Sequence, residues 1–229
     1  MLKELSHIGV KTWDLEKSMA FYIDRLGGEV VRDVFSVDGK ARYIYAEIAQ
    51  CIVELIPAES ENDQGVEHTA FLLLDKSLDE TFERCVAAGA GVDVAPRTAY
   101  SGVGRLCFMT EPSGLRIEVV EREEHLRKDF AGKGWIRNYL YDQLPMPEGA
   151  KDTIFRIFRD GMGMEQRGDD LVFGADTLKY RENAEPEFVL QAKDEETLNR
   201  LAEGAEVVPD DGEGIVLLSP EGVRVRIVL

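Results

Sequence analysis

The chain has 229 residues, 44% of them hydrophobic and 31% charged, enough to bury a real core and to exclude disorder as the overall state. Acidic residues outnumber basic ones 44 to 27, for a formal net charge of -17. Such a surface repels phosphate backbones and anionic lipid, so neither nucleic acid nor a membrane is expected as a partner.

The opening MLKELSHIGVKTWDLEK holds no apolar run of signal-peptide length, and no run elsewhere approaches the ~20 residues a bilayer span needs. Cys51, Cys85 and Cys107 leave one thiol unpaired in any pairing and form no C-x-x-C. Together these predict a cytosolic protein with reduced cysteines.

Along the chain one pattern recurs. LSHIGVKT (5–12) reads as a strand, and DLEKSMAFYIDRLGG (14–28) reads as a helix with Leu15, Met19, Tyr22 and Leu26 on one stripe. EVVRDVFSV, RYIYAEI and CIVELIP then read as three strands. EHTAFLLL opens a second unit. Its helix is SLDETFERCVAAGAG (77–91), where Ser77 and Glu80 have capping-box spacing, and its closing strands include RLCFMT and LRIEVVE. A third unit starts at IRNYLYDQL, with the helix GAKDTIFRIFRDGMG (149–163) and the strands LVFGA and TLKYRE. A fourth starts at EFVLQA, with the helix DEETLNRLAEG and the strands GIVLLS and VRVRIVL. Each unit reads β-α-β-β-β, and PSGLRIEVV and PEGVRVRIV share a Pro-x-Gly turn before the last strand.

The predicted fold class is therefore α+β, built from tandem βαβββ units in two modules. Residues 1–122 form the first module, 123–134 a linker and 135–229 the second. The linker region EREEHLRKDFAGKG is charged, and a helix is expected there. One face of such a unit is covered by its helix. The other face must be buried by a second unit, which leaves a concave surface suited to a ligand.

Four chemistry-bearing residues stand at equivalent places in the first two units. His7 and His68 lie in the first strands, and Glu54 and Glu118 in the last. Side chains alternate faces along a strand. Ser6, Ile8 and Val10 oppose His7; Val53 and Leu55 oppose Glu54; Thr69, Phe71 and Leu73 oppose His68; Ile117 and Val119 oppose Glu118. With the apolar set under the helices, two imidazoles and two carboxylates point into the concavity. Carboxylates in an apolar cup need a cation, and mixed N/O ligands suit one divalent first-row ion (Zn, Ni, Co, Mn or Fe) with open positions for substrate.

These segments, HIGVKTWDLEKSMAFYIDRLGG, IVELIP, EHTAFLLLD and EPSGLRIEVVE, resemble the vicinal oxygen chelate superfamily, which includes glyoxalase I, methylmalonyl-CoA epimerase, extradiol dioxygenases and the bleomycin- and fosfomycin-resistance proteins. The resemblance covers residues 5–121. It implies glyoxalase-like modules and carries the family's metal ligands onto His7, Glu54, His68 and Glu118. The second half resembles the module without its ligands. Arg226 aligns with Glu118, Glu187 with His68, Asn138 or a neighbour with His7, and Lys179 falls near the place of Glu54. A salt bridge between Arg226 and Glu187 is expected there. With the ligands confined to the first two units, those units must pair, within one chain or across a homodimer.

The resemblance implies a lyase or isomerase that moves a proton next to a carbonyl of a small substrate with vicinal oxygens, Glu118 or Glu54 shuttling the proton. An Fe(II) ring-cleaving dioxygenase needs only His7, His68 and Glu118. A metal-free binding protein of the bleomycin-resistance kind fits a complete ligand set least well. Arg116 shares parity with Glu118 and could clamp an anionic substrate or pair with a carboxylate. Asp38 reads as a turn residue rather than an acid or base. Tyr43, Tyr45, Tyr100 and Phe108 are candidates for the pocket wall or the core, Cys51 is expected to pack, and His125 to be solvated.

Overall fold

The computed structural model describes residues 2–99, 104–128, 134–209 and 212–229. The protein is α+β and holds two eight-stranded sheets. The first sheet uses β1 (Leu2–Thr12), β2 (Glu29–Phe35), β3 (Arg42–Ile48), β4 (Cys51–Pro57), β5 (Gly65–Leu73), β6 (Gly91–Thr98), β7 (Arg105–Thr110) and β8 (Arg116–Glu121), in the order β2-β3-β4-β1-β5-β8-β7-β6. The second uses β9 (Ile136–Pro145), β10 (Glu165–Arg167), β11 (Asp170–Phe173), β12 (Asp176–Arg181), β13 (Glu187–Ala192), β14 (Val207–Val208), β15 (Ile215–Leu218) and β16 (Arg224–Val228), in the order β10-β11-β12-β9-β13-β16-β15-β14. The two orders match strand for strand. Units one and two thus share a sheet within one chain, and no second copy is needed to bring their strands together.

The helices are α1 (Leu15–Met19), α2 (Leu78–Ala88), α3 (Lys151–Arg156) and α4 (Glu195–Ala202), one per βαβββ unit. Asp14 starts α1 by accepting the Lys17 N–H (3.1 Å), and Asp194 starts α4 by accepting the Thr197 N–H (2.8 Å). α1 and α3 continue as π-helical segments, Ala20–Arg25 and Ile157–Gly161. The capping box expected at Ser77 does not form. Its hydroxyl turns to Asp75, and Glu121 Oε2 separately accepts the Leu78 N–H at the start of the helix (3.1 Å). The expected linker helix is also absent from the described residues of 121–134. Single long-range bonds hold that segment instead: Arg122 N–H to the Leu73 carbonyl (3.1 Å), His125 to Glu4 (3.0 Å) and Lys128 N–H to Glu47 (2.9 Å). Among the described residues no helix is long and apolar enough to cross a membrane.

By contact density the chain divides into two compact units that ignore chain order. One comprises Met1–His7, His68–His125 and Gln143–Glu185; the other comprises Ile8–Glu67, Leu126–Asp142 and Pro186–Leu229. Inside the first, Phe71 on the helix-covered face of β5 meets Phe158 and Phe173 edge-on, with ring centroids 5.9 and 5.4 Å apart. α2 lies so close to the π-helical segment of the third repeat that a Cβ on Gly161 would stand 2.7 Å from Cys85 Sγ. Only glycine fits there, and Arg84 Nε bonds its carbonyl (3.1 Å).

In the second unit Arg25 caps α4 by donating to the Leu201 and Glu203 carbonyls (2.8 and 2.9 Å), placing a cation at the negative helix end. Each unit also seats a buried acid from its Pro-x-Gly turn against a tyrosine hydroxyl. Tyr180 donates to Glu111 (3.4 Å) in the first, and Tyr22 to Glu221 (3.4 Å) in the second.

Candidate metal centre

His7 and His68 lie at the middle of the first sheet, and Glu118 lies on the neighbouring strand β8. Parallel pairing of β5 with β8 sets Ala70 against Glu118, two residues beyond His68, so His68 and Glu118 face the same side. The opposite parity, Phe71, Ile117 and Val119, is fully buried.

All three site residues belong to the first compact unit, and all are buried. His7 Nε2 stands 3.0 Å from His68 Nε2 and 3.0 Å from Glu118 Oε2, and His68 Nε2 stands 3.3 Å from the same oxygen. Among the described residues this is the one cluster of His, Cys, Asp or Glu with metal-ligand spacing.

The three contacts cannot all be hydrogen bonds, because two neutral imidazoles bring at most two protons: with both given to Glu118, two N–H groups face each other at 3.0 Å. Ligands held about 2.1 Å from one ion at right angles stand about 3 Å apart, so the triangle fits a divalent ion's facial ligand set. Burial opposes ionisation of Glu118, yet its bonds to His68 and His7 hold the carboxyl well below its ordinary range. The anion a metal requires is therefore present at neutral pH.

Ser6 Oγ lies 3.0 Å from His7 Nδ1 and fixes the ring with Nε2 toward the triangle. Parity placed Ser6 on the opposite face, so this contact was missed; adjacency to His7 was the one sequence signal for it. Phe108, paired in register with Glu118, meets His68 edge-on at 5.4 Å. The Arg116 guanidinium lies 3.7 Å over the Phe108 ring and bonds Asp93 through Nε (2.6 Å).

Glu54 belongs to the second compact unit. It is buried on β4, in register with Tyr45, whose hydroxyl donates to Glu54 Oε1. Tyr45 thus holds a carboxylate, and Tyr43 is half-buried on the same strand. Asp38 caps the β2–β3 turn, accepting from Ser36 and from the Lys40 N–H (3.2 Å). Cys51 is fully buried in the core. His125 is half-exposed and paired with Glu4. Tyr100 lies outside the described residues.

In the second sheet Arg226 grips Glu187 through Nε (2.6 Å) and Nη2 (3.3 Å), with Arg224 3.6 Å from the same carboxylate. Val189 pairs with Arg226, two residues beyond Glu187, just as Ala70 pairs with Glu118 beyond His68. The equivalence of Glu187 with His68 and Arg226 with Glu118 is written in that register. Asn138 does not take the His7 position. It is exposed and bonds Gln191 (2.7 Å), while Asp142 further along β9 is buried. Lys179 is half-buried on β12, in register with Asp170.

A family model described as Glyoxalase/Bleomycin resistance protein/Dioxygenase superfamily matches residues 4–119. An uncharacterized protein of Bacillus subtilis (strain 168), YwkD, is 29% identical over 133 residues, 53% of this chain and 99% of its own. Among solved structures, the 2,3-dioxygenase LapB from Pseudomonas sp. KL28 superposes with a TM-score of 0.67 at 15% identity, covering 98% of this chain and 91% of its own. The Mn(II)-bound glyoxalase from Novosphingobium aromaticivorans superposes with a TM-score of 0.67 at 17% identity, covering 99% and 81%. At these identities the two structures establish a shared fold.

Proposed function

We propose that this chain, which belongs to the glyoxalase/bleomycin resistance protein/dioxygenase superfamily, is a metal-dependent lyase or isomerase that moves a proton next to a carbonyl. The observation that carries the metal reading is the buried triangle of His7 Nε2, His68 Nε2 and Glu118 Oε2. In this reading Glu54 is a fourth ligand and the proton shuttle, the intact set lies in the module 1–122, and the module 135–229 beyond the 123–134 linker has none. A divalent ion held there supplies Lewis acidity to the vicinal oxygens of a small substrate.

The protein's own groups do the rest. His7, oriented by Ser6, and His68, backed by Phe108, fix two ligand directions. Glu118 stays ionised. Tyr45 holds Glu54 at Oε1, and Glu54, once loosened from the ion, takes the proton from the carbon next to the carbonyl on Oε2 and returns it to the neighbouring carbon.

A second reading is an Fe(II) extradiol-type dioxygenase. Two histidines and one carboxylate are the facial set such enzymes use, and the likeness to LapB runs over nearly the whole chain. The test is a screen of the protein loaded with Ni, Co, Zn, Mn or Fe against methylglyoxal–thiol adducts, 2-acyl-CoA epimers and catechols. Proton exchange or isomerisation without oxygen uptake supports the proposal; oxygen uptake with catechols under Fe(II) replaces it with the second reading.

A further inference from the structure

On β8 the residues facing the metal triangle run Arg116, Glu118, Val120, each about 6.6 Å from the next. The two sides of Glu118 differ. Toward Val120 the face is apolar and closed: Val120, Leu72 and Leu106 are buried together, with Leu74, Ala99 and Phe108 against them. Toward Arg116 it is cationic and open, the Arg116 side chain keeping 27% of its surface exposed.

The Arg116 head is also held. Phe108 supports its plane at 3.7 Å, Asp93 anchors Nε at 2.6 Å, and the same phenyl ring touches His68. One ring therefore separates a fixed guanidinium from a metal ligand, on a protein whose net charge is -17.

We infer that Arg116 binds a carboxylate on the substrate, so that the substrate is an anion whose apolar end points toward Val120 and whose carboxylate lies beyond its two chelating oxygens. A guanidinium already shared with Asp93 and close to Glu118 offsets one negative charge, which favours a carboxylate over a phosphate dianion. This rests on the metal reading of the triangle, and the test separates the two.

Protein loaded with Mn(II) is titrated calorimetrically with acetohydroxamate, which offers two vicinal oxygens only, and with succinate monohydroxamate, which adds a carboxylate. The expected result is about tenfold tighter binding of the carboxylated probe. Arg116→Gln should erase that preference while leaving acetohydroxamate binding and metal content unchanged, and Arg116→Lys should restore part of it. Equal binding of both probes by the parent, or a preference surviving in Arg116→Gln, overturns the role of Arg116 while the metal reading stands. Binding of neither probe by the loaded protein overturns the role of Arg116, and failure to load Mn(II) at all overturns the metal reading.

Discussion

Removing Arg226 tests how the second sheet replaces a metal with an ion pair. Glu187 has 2% of its side chain exposed and takes both bonds from Arg226, itself 12% exposed. Breaking a buried pair from one side costs about 3–5 kcal/mol, because the remaining charge loses water and partner together. In Arg226→Ala, Glu187 keeps Arg224 at 3.6 Å, which offsets part of the loss. We expect about 3–4 kcal/mol, a fall in Tm of roughly 6–16 °C for a chain of this size. Glu187→Ala should cost less, since Arg224 and Arg226 are long enough to move their heads toward solvent. Arg226→Glu should cost most, by setting a second acid against Glu187. Replacing both partners, Glu187→Leu with Arg226→Met, should return stability close to the parent. Thermal and urea unfolding followed by circular dichroism measures all four, with and without zinc. If the three single variants melt within a degree of the parent, or Glu187→Ala proves the worst, the pair is not buried as described.

Glu54→Ala should lower metal retention and slow turnover by about 100-fold or more, as loss of a proton shuttle does; unchanged values for both would favour the dioxygenase reading. Burial pushes the thiols of Cys85 and Cys107 up to about 12, so at about pH 8 neither should react with a disulfide reagent until denaturant is added. Rapid labelling of the native protein at either would contradict their packing. Burial raises the Glu111 carboxyl, against the opposing bonds from Ser113, Leu115 and Tyr180. The folded state thus holds that proton more tightly than the unfolded one. This favours folding below the ordinary carboxylate range and is lost as pH rises through the raised value. Glu111→Gln should therefore gain stability relative to the parent as pH rises from the ordinary carboxylate range, and urea midpoints that keep a constant gap would contradict this.

Local periodicities were legible in the sequence. Alternation along LSHIGVKT, EHTAFLLL and LRIEVVE put His7, His68 and Glu118 on one face because side-chain direction follows from the backbone alone. The fourfold βαβββ repeat and the pairing of Arg226 with Glu187 were readable for the same reason: equivalent positions in repeated strands meet equivalent neighbours. What was not legible depends on contacts far apart in the chain. Nothing local says that residues 68–125 pack with 143–185, or that Glu111 meets Tyr180 and Glu221 meets Tyr22. The segment after Glu121 looked helical by charge, but individual bonds from Arg122, His125 and Lys128 to distant partners determine its path. Asn138 or a neighbour read as the counterpart of His7, and Asn138 itself is exposed and bonds Gln191.

The central claim is that His7, His68 and Glu118 hold a divalent ion. Elemental analysis of the purified protein, after loading with manganese, iron, nickel or zinc and removal of loose metal, should give about one ion per chain in the parent. The shape-preserving Glu118→Gln variant should retain almost none at the same folded content. Absence of metal from the loaded parent, two ions per chain, or full retention by Glu118→Gln would contradict the account.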